Sequence, residues 1–378
     1  MTGIKADAQK QRFQEGLLRC FDPTGKSFLK SVKQERIGPF FYKAALESDV
    51  FKAAISPEDI KILERFYYAT FARNIRIFDT FKNLAGLFRE NGIKALFFKG
   101  PVVTASLYDD IGCRPMTDID ILVRRQDVVR AADMLSGFGY TPPFAVTQNS
   151  LPATNIYHNS LLFSAAGRTP GFVHLYWHLL NLFPYDISIW KKFDMDEIWA
   201  SSREAAVEGV EVLTLADEDL LIYLCWHAFK HGYTPFILLI DICMFLLLKS
   251  GVLDWERVGG KAKRFGLFRP VYHTCLILHK LFGAAIPLEF MNRMRPPKVS
   301  FFEKKFVTQV TRGVPVRERL PMVLVYLGMN ESWMGRLRYI ARAAFPPREA
   351  MAIIRQKDPA RVSCKDYLAR IFSSIKLK

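Results

Sequence analysis

Residues 97–123 read FFKGPVVTASLYDDIGCRPMTDIDILV, and this stretch decides the fold. The apolar run at 93–98 predicts a strand, and Gly100 predicts a turn into a helix over 101–108. The proline after this glycine fits a first helical turn, where its missing N–H has no partner to lose. The run 117–123 alternates and then becomes apolar, which is typical of a second strand. The order is therefore strand, glycine turn, helix, loop and strand.

Hydrophobic periodicity divides the chain into three parts. Residues 1–90 have apolar positions at helical spacing up to Asn91 and Gly92, where a helix should end because both residue types accept a left-handed backbone. Residues 91–215 mix strand and helix patterns, and residues 216–378 return to the helical period. The pattern predicts an α+β fold, in which an α/β core with a mixed sheet lies between an N-terminal helical region and a helical C-terminal domain.

Further elements are expected on the same grounds. In the core they are a helix over 126–136, a loop over 141–154 and strands over 155–163 and 171–178. In the C-terminal domain they are a helix over 218–231 capped by Asp217, a buried helix over 235–249 and roughly four further helices separated by glycine and proline.

The composition is that of a folded, basic protein. Of 378 residues, 50% are hydrophobic and 24% are charged, which excludes disorder as the main state and, at ~150 residues per domain, suggests two or three packed units. The formal net charge is +16, and residues 336–378 hold eleven Lys or Arg against three acidic residues. A nucleotide, a nucleic acid or an anionic membrane surface is an expected partner of this basic field, with solubility alone as the alternative.

The cysteine pattern indicates a protein of a reducing compartment. Six cysteines are scattered without a CxxC pair, so we expect buried thiols, no disulfide, no zinc cluster and a cytoplasmic location. The N-terminus has no apolar h-region and does not predict a secretory signal. The longest apolar run, 236–248, has thirteen residues interrupted by Asp241, which is shorter than the ~20 needed to span a bilayer.

Two aspartates on the second predicted strand are the first candidate site residues. Residues i and i+2 of a strand point to the same face, so Asp118 and Asp120 present two carboxylates side by side. Two like charges so close need a cation, and Mg²⁺ binds through one or two carboxylates plus substrate phosphates. The pair therefore suggests phosphoryl or nucleotidyl transfer, with solvated edge carboxylates as the alternative.

The turn before the first predicted core helix supplies candidate anion contacts. Lys99 and Gly100 lie where backbone N–H groups and a helix N-terminus can hold phosphate oxygens, and the ammonium adds a charge. Arg114, shortly before the aspartates, is placed to bind the same phosphates with its guanidinium fork. The alternative for both cations is an ordinary surface ion pair with Asp109 or Asp110.

The combination of these motifs resembles a known family. The order of strand, KG turn, helix, arginine loop and (S/T)DIDxLV strand, followed by a helix ending at Gly139 and Tyr140, is similar to the nucleotidyltransferase superfamily related to DNA polymerase beta. Within it the chain most resembles the bacterial family of uncharacterised nucleotidyltransferases. Further marks of the likeness are VHLYW at 173–177, HAFKHG at 227–232 and LIDI at 239–242.

The resemblance implies that the protein transfers a nucleoside monophosphate from an NTP such as ATP to an acceptor hydroxyl or phosphate. It implies Mg²⁺ or Mn²⁺ as cofactor, bound by Asp118 and Asp120. By the same likeness, the nucleotide and its phosphates are bound by Lys99, Gly100, Arg114 and Thr117. A small molecule, a peptide or a protein would each serve as acceptor, and the basic C-terminal region leaves RNA open.

The chain departs from the family pattern at the third carboxylate. Where relatives have V-(D/E)-L-H-W, this chain has His174 at the acidic position. His174 shares a strand face with Tyr176 and His178, so we assign it a catalytic role as a neutral base or substitute ligand near the aspartates. Imidazole suits transition metals better than Mg²⁺. Other candidates for the third acid are Asp186, Asp194, Asp196 and Glu197.

Two histidines are candidates for a substrate pocket. His227 and His231 stand at i and i+4 on one helix face, but the glutamate of HExxH is absent, so zinc protease chemistry is not expected. With Asp241 they form either a buried hydrogen-bonded cluster between helices or, together with Tyr176 and His178, part of a pocket that contacts substrate.

Two further functions stay open. The missing third acid motivates a catalytically impaired module that binds a nucleotide, a nucleic acid or a protein partner. Residues 363–378 alternate apolar and basic side chains, which motivates attachment to an anionic membrane surface. A packed terminal helix explains the same pattern.

Overall fold

The computed structural model describes residues 2–143, 146, 159–165, 171–180, 192–314, 318–329, 332–348, 351 and 361–375. The helices are α1 (Thr2–Cys20), α2 (Phe28–Gln34), α3 (Gly38–Glu47), α4 (Asp49–Ala54), α5 (Pro57–Glu90), α6 (Pro101–Leu107), α7 (Val128–Gly137), α8 (Met195–Ser201), α9 (Asp217–Lys230), α10 (Ile237–Lys249), α11 (Trp255–Arg264), α12 (Phe268–Phe282), α13 (Leu288–Met294), α14 (Phe301–Thr311), α15 (Met322–Met329), α16 (Trp333–Ala344) and α17 (Cys364–Ile375). The strands are β1 (Ala95–Phe97), β2 (Asp118–Val123), β3 (Tyr140–Thr141), β4 (Ser160–Ala165), β5 (Phe172–Tyr176), β6 (Arg203–Val207) and β7 (Val210–Thr214). A 3₁₀ turn at Arg125–Asp127 precedes α7.

One mixed sheet contains all of these strands. Its order is β3-β4-β5-β2-β1-β7-β6. β2 pairs parallel with β5 and antiparallel with β1, and β1 pairs parallel with β7. The three remaining pairs are antiparallel. The predicted α+β class and the predicted mixed sheet are confirmed.

The alternation of β2 decides which face of the sheet carries polar groups. Ile119 and Ile121 belong to the buried cluster that the sheet forms with α5 and α7. Leu122 belongs to the other buried cluster, which includes the helices of the C-terminal half. Asp118 and Asp120 share the face of Leu122 because side chains alternate along a strand. The two carboxylates therefore point toward the C-terminal helices.

The long helix α5 covers the opposite face of the sheet. It starts where the side-chain oxygen of Ser56 accepts a bond from the N–H of Asp59, which satisfies one free donor of the first turn. It ends at Glu90, and Gly92 follows in the left-handed region with a φ of +63°. The predicted end at Asn91 and Gly92 is confirmed.

Two core strands differ from their predicted bounds. The strand predicted over 155–163 is observed at Ser160–Ala165, and residues 155–158 lie outside the described part. The strand predicted over 171–178 ends at Tyr176. The two strands end together because Ser160 pairs with Tyr176 in the antiparallel ladder, and a strand extends only as far as its partner does.

The hairpin of β6 and β7 is absent from the sequence prediction. Glu208 and Gly209 form its turn with positive φ values of 50° and 80°, as the common two-residue hairpin turns require. An acidic residue followed by glycine between two alternating runs was the signal that could have identified it.

The C-terminal half has more helices than predicted. Seven helices follow Lys249 in the described residues, where the sequence predicted roughly four. Asp217 is the first residue of α9, and its side chain makes no capping hydrogen bond to the first turn. Its carboxylate instead pairs with Arg203 at 2.8 Å and with Lys249 at 3.2 Å.

All six cysteines are free thiols. Four of them are buried, while Cys20 is half-buried and Cys364 is exposed, so the prediction of buried thiols fails at these two positions. None of the helices in the described residues combines the length and the apolar composition needed to cross a bilayer.

Glu303 anchors the helices of the C-terminal half. It is fully buried and accepts bonds from Arg269 at 2.8 Å, from the N–H of Ser300 at 2.8 Å, and shares a hydrogen bond with His273 at 2.9 Å. Burial opposes ionisation of Glu303, but these three partners outweigh it and lower its pKa to about 2. The ionised carboxylate therefore joins α12 to α14.

We expect Glu303→Gln to lower the free energy of unfolding by about 3–5 kcal/mol at neutral pH, because it leaves a buried cation without its counter-charge. The folded pKa is lower than the unfolded value of 4.5, so the carboxylate stabilises the fold above pH 4.5 and this stabilisation is lost as pH falls toward 2. Urea unfolding at several pH values measures this. The control Glu256→Gln, at an exposed ion pair with Arg293, should cost less than about 1 kcal/mol. A difference from wild type that stays constant between pH 7 and pH 3 would contradict the assignment.

Candidate metal and anion site

A cavity of about 420 Å³ lies between the carboxylate face of the sheet and helices α9 and α10. This volume is within the usual range of small-molecule sites. The charged and polar side chains that line it are Arg36, Lys99, Arg114, Thr117, Asp118, Asp120, His174, Tyr176, Tyr223, His227, Lys230, His231 and Asp241.

Three potential metal ligands lie together on the sheet side of this cavity. Parallel pairing of β2 with β5 places Asp120 directly beside His174. Asp118, Asp120 and His174 each offer one ligand atom, and these atoms lie within 4.8 Å of one another. The structure thus brings together the three residues that the sequence analysis assigned to catalysis.

Asp120 is the most buried of the three. Its side chain is 1% exposed, and the Nζ atom of Lys99 lies 2.8 Å from its Oδ1 atom. Burial raises the pKa of the Asp120 carboxyl to about 6, although the Lys99 ammonium opposes this shift. Oδ1 thus already has a cation as its partner, as a buried carboxylate needs.

Lys99 is held inside the cavity wall by this carboxylate. Burial favours its neutral form, but the negative charges of Asp120 and Asp118 outweigh that effect and raise the pKa of Lys99 above its usual value. The ammonium therefore stays charged. Its partner is Asp120, and the surface pair with Asp109 or Asp110 that the sequence left open does not form.

His174 is a neutral imidazole in a hydrogen-bonded chain. Burial, and then the charge of Lys99, lower its pKa to about 3. Its Nδ1 atom lies 2.7 Å from the hydroxyl of Tyr176, and its Nε2 atom lies 3.0 Å from that of Ser160. Burial raises the pKa of Tyr176 well above its usual value, so the phenol keeps its proton. A neutral imidazole donates through one ring nitrogen and accepts through the other, so one of the two hydroxyls donates to the ring and the other accepts from it.

Gly100 allows the KG turn to touch β2. It adopts a φ of +48° immediately before α6. A Cβ atom at this position would lie 2.6 Å from the carbonyl oxygen of Asp118, which is closer than real carbon atoms approach. Only glycine fits both the backbone angle and the space. The turn that carries Lys99 is therefore packed directly against the aspartate strand.

Arg114 binds a carboxylate of the helical half. Its Nε and Nη2 atoms donate to the two carboxylate oxygens of Asp241 at 2.7 and 2.9 Å, and Nη1 donates to Thr104 at 3.3 Å. The hydroxyl of Tyr108 donates to the same Asp241 at 2.7 Å. The sequence left open a pair with Asp109 or Asp110, and the observed partner is neither of them. The Arg114 guanidinium lines the cavity, but its donor atoms are already bonded to Asp241 and Thr104.

His227 and His231 line the cavity on the opposite wall. The ring of His227 lies parallel to Tyr223 at a centroid distance of 5.8 Å, and its edge meets His231 at 4.6 Å. Burial, and then the charge of Lys99, lower the pKa of His227 well below its usual value, so it is neutral. In the described residues Asp241 bonds to Tyr108 and Arg114, and the alternative cluster of both histidines with Asp241 does not form.

His178 does not share the face of His174 and Tyr176. The strand ends at Tyr176, so the alternation on which that prediction depended stops two residues too early. His178 is buried, accepts a bond from the N–H of Leu180 at 3.1 Å and packs against Phe193. It is not among the residues that line the cavity, which corrects its assignment to the pocket.

The other candidates for the third acid have different partners. Asp194 caps α8 through the N–H groups of its first turn. Asp196 pairs with Arg124, and Glu197 pairs with Arg264. Asp186 lies outside the described residues.

Two cations of the cavity wall were not assigned a role from the sequence. Lys230 is on α9 between the two histidines, and neither it nor Arg36 forms an ion pair with another described residue. Burial, and then the charge of Lys99, lower the pKa of Lys230 to about 8. The motif HAFKH at 227–231 could have identified Lys230 as a residue of the cavity wall, because His227, Lys230 and His231 at i, i+3 and i+4 share a helix face. Arg36, far away in sequence, had none.

Residues 24–283 match the family described as uncharacterised nucleotidyltransferase, and the chain belongs to this family. No curated protein matches the chain. A solved structure described as an antigenic nucleotidyltransferase-like protein from Paracoccidioides brasiliensis is similar, with 12% sequence identity and a TM-score of 0.34. The similar region covers 54% of this chain and 91% of that chain.

The donor set fits a divalent cation. Asp118 and Asp120 supply carboxylate oxygens, the Asp120 oxygen buried beside the Lys99 ammonium, and His174 lies next to them. Two oxygens and one nitrogen suit Mn²⁺ at least as well as Mg²⁺, because imidazole favours transition metals. For His174 to bind a metal through Nδ1, the hydroxyl of Tyr176 would have to turn away.

Substitution of Gly100 by alanine should damage the site through the backbone. We expect Gly100→Ala to lower the free energy of unfolding by about 2–4 kcal/mol, because a positive φ strains alanine and the new methyl meets the Asp118 carbonyl. Denaturant unfolding measures the change. The control Gly86→Ala lies inside α5 with nothing within 4 Å of the added atom and should stabilise by about 0.5–1 kcal/mol. Equal effects of the two substitutions would disprove the tight turn.

Proposed function

We propose that this protein transfers a nucleoside monophosphate from an NTP to an acceptor hydroxyl or phosphate, with Mg²⁺ or Mn²⁺ as cofactor. The family, the paired aspartates and the cation-lined cavity support this proposal. The relation to DNA polymerase beta, ATP as the nucleotide, and a small molecule, peptide or protein as acceptor are part of it. A bacterial origin and a cytoplasmic setting are also part of the proposal, and the scattered cysteines without a CxxC pair support the setting.

The distribution of charge in the cavity is the observation that carries the proposal. Arg114 is neutralised by Asp241, and Lys99 by Asp120. This leaves Asp118 on one wall, and Lys230 with Arg36 as cations without a carboxylate partner among the described residues. A metal-bound polyphosphate complements that arrangement, because its metal end prefers carboxylates and its phosphate end prefers cations.

The reaction then needs little covalent chemistry from the protein. The acceptor oxygen forms a bond to the α-phosphorus, the bond from that phosphorus to the bridging oxygen of the β-phosphate breaks, and pyrophosphate leaves. Positioning and charge stabilisation supply most of the rate enhancement in such reactions. We assign Asp118 and Asp120 to hold the cation, and Lys99 and Lys230 to hold the phosphates.

The bound cation would neutralise developing negative charge on the reacting phosphate. Lys99 has a second role in this scheme, because its ammonium now balances the buried Asp120. With a cation bound beside Asp120, the Lys99 ammonium would no longer be needed for that balance and would be free to bind a phosphate oxygen. Lys99 thus couples the metal side of the cavity to its anion side.

The aspartates are tested by turnover. We expect Asp118→Asn and Asp120→Asn each to reduce NTP consumption by at least ~10²-fold, since each removes a charge that the metal requires. Mass-resolved detection of pyrophosphate and nucleotidylated product, with Mg²⁺ and with Mn²⁺, measures this. Asp133→Asn, at an exposed position of α7, is the matched control and should retain full turnover. Turnover equal to wild type in both cavity variants would refute the assigned site.

Lys230 is tested by nucleotide affinity. We expect Lys230→Gln to raise the KM for NTP about tenfold, as a lost charge-assisted hydrogen bond costs about 1.5 kcal/mol, with a smaller effect on kcat. Because its pKa is about 8, wild-type affinity should weaken as pH rises above 8, and the variant should lack that dependence. Steady-state kinetics against pH measure both. Lys82→Gln, exposed on α5, is the control, and an unchanged KM in Lys230→Gln would contradict the assignment.

A second candidate function is a module that binds a nucleotide, a nucleic acid or a protein partner without turnover. The observation that favours it is His174, which replaces an acid and has both ring nitrogens hydrogen-bonded. Calorimetric binding of NTP without any product in the turnover experiment would support this function over the first.

A further inference from the structure

Helix α16 exposes an apolar stripe to solvent. The exposed fractions are 68% for Trp333, 54% for Leu337 and 49% for Ile340. At 3.6 residues per turn these three positions lie within an arc of about 60°, and Met334, 48% exposed, widens the arc to about 120°. Soluble proteins rarely expose so many large apolar side chains along one helix face.

The opposite side of the same helix packs on the protein. Tyr339 is 6% exposed and lies 6.4 Å from the ring of Tyr326 on α15. In helical projection Tyr339 is on the side opposite to the apolar stripe. The stripe therefore points away from the molecule, and Phe345, 64% exposed, continues the apolar surface past the end of the helix.

Basic residues border the stripe on both edges. Arg336 follows one edge and Arg338 the other in helical projection, and both side chains are exposed. Residues 332–348 contain four arginines and no acidic residue. A long basic side chain at the edge of an apolar stripe can extend its charged end to the phosphate level of a bilayer while the stripe enters the acyl boundary.

We infer that α16 is an interfacial helix that attaches this protein to the surface of an anionic phospholipid bilayer. Charge complementarity selects this occupant, because the stripe and both basic edges together match an apolar layer beneath anionic headgroups. Trp333 at the first turn suits the headgroup boundary, where tryptophan is enriched.

The sequence placed membrane attachment at 363–378, and the structure moves the stronger signal to α16. α17 at Cys364–Ile375 packs against α16 and exposes Leu368 by 55%. The side chains from 370 onward lie outside the described residues. α17 therefore lies next to the proposed membrane-binding surface, and α16 carries the apolar stripe of that surface.

Flotation of the full chain with lipid vesicles tests the inference. Binding should be strong to vesicles of phosphatidylcholine with phosphatidylglycerol, weak to phosphatidylcholine alone, and reduced by salt. Leu337→Glu/Ile340→Glu should reduce the partition coefficient about a hundredfold or more, and Arg338→Gln about fivefold. Val252→Glu/Leu288→Glu, at positions 77% and 73% exposed elsewhere, is the matched control and should bind as wild type.

Tryptophan fluorescence gives a second readout, in which no charged residue is introduced into the apolar stripe. Addition of anionic vesicles should shift the emission of the wild type to the blue, and Trp333→Phe should remove that shift. Absence of wild-type flotation at low salt, or flotation unaffected by the double glutamate variant, would overturn the inference. A wild type that binds RNA or self-associates but does not bind vesicles, and that loses this property in the double glutamate variant, would also overturn the inference. None of these readouts depends on NTP turnover, so they fail or succeed independently of the proposed reaction.

Discussion

The charge balance of Asp120 is the constraint on which the site depends. Strand alternation points this carboxylate to a buried position under the C-terminal helices, where an isolated charge costs several kcal/mol. Lys99 supplies the opposite charge at 2.8 Å. It can do so only because Gly100 brings the KG turn against the carbonyl of Asp118. Turn, strand and ion pair therefore form one unit, which places the Asp120 carboxylate on the sheet side of the cavity.

A second buried ion pair joins the core to the helical half. Arg114 and Asp241 are 127 residues apart in sequence, and two parallel hydrogen bonds hold them together with a third from Tyr108. Such bidentate pairs fix orientation as well as distance. This ion pair positions α10 over the sheet and closes one wall of the cavity. It also uses the Arg114 guanidinium as scaffold, so the proposed phosphate contacts come from other cations of the cavity wall.

Features that depend on local pattern could be predicted from the sequence. The strand, turn, helix and strand order around Asp118 and Asp120 is observed, because periodicity and glycine chemistry act over a few residues. Where a prediction was wrong, the cause was a contact distant in sequence. The face of His178 changed because β5 ends with its pairing partner, and Asp217 pairs with Arg203 and Lys249 where a cap was expected.

Local chemistry in the chain was enough to define the paired carboxylates, the glycine turn beside them and the basic character of the C-terminal region. The folded arrangement alone decided which partner each charged side chain has. The sequence left Arg114 a pair with Asp109 or Asp110, and packing selected Asp241. The exposure of the apolar stripe on α16 is likewise a tertiary property, since the same periodicity is compatible with a helix packed in the core. Burial and charge pairing depend on distances between segments, and the pattern within any one segment does not contain those distances.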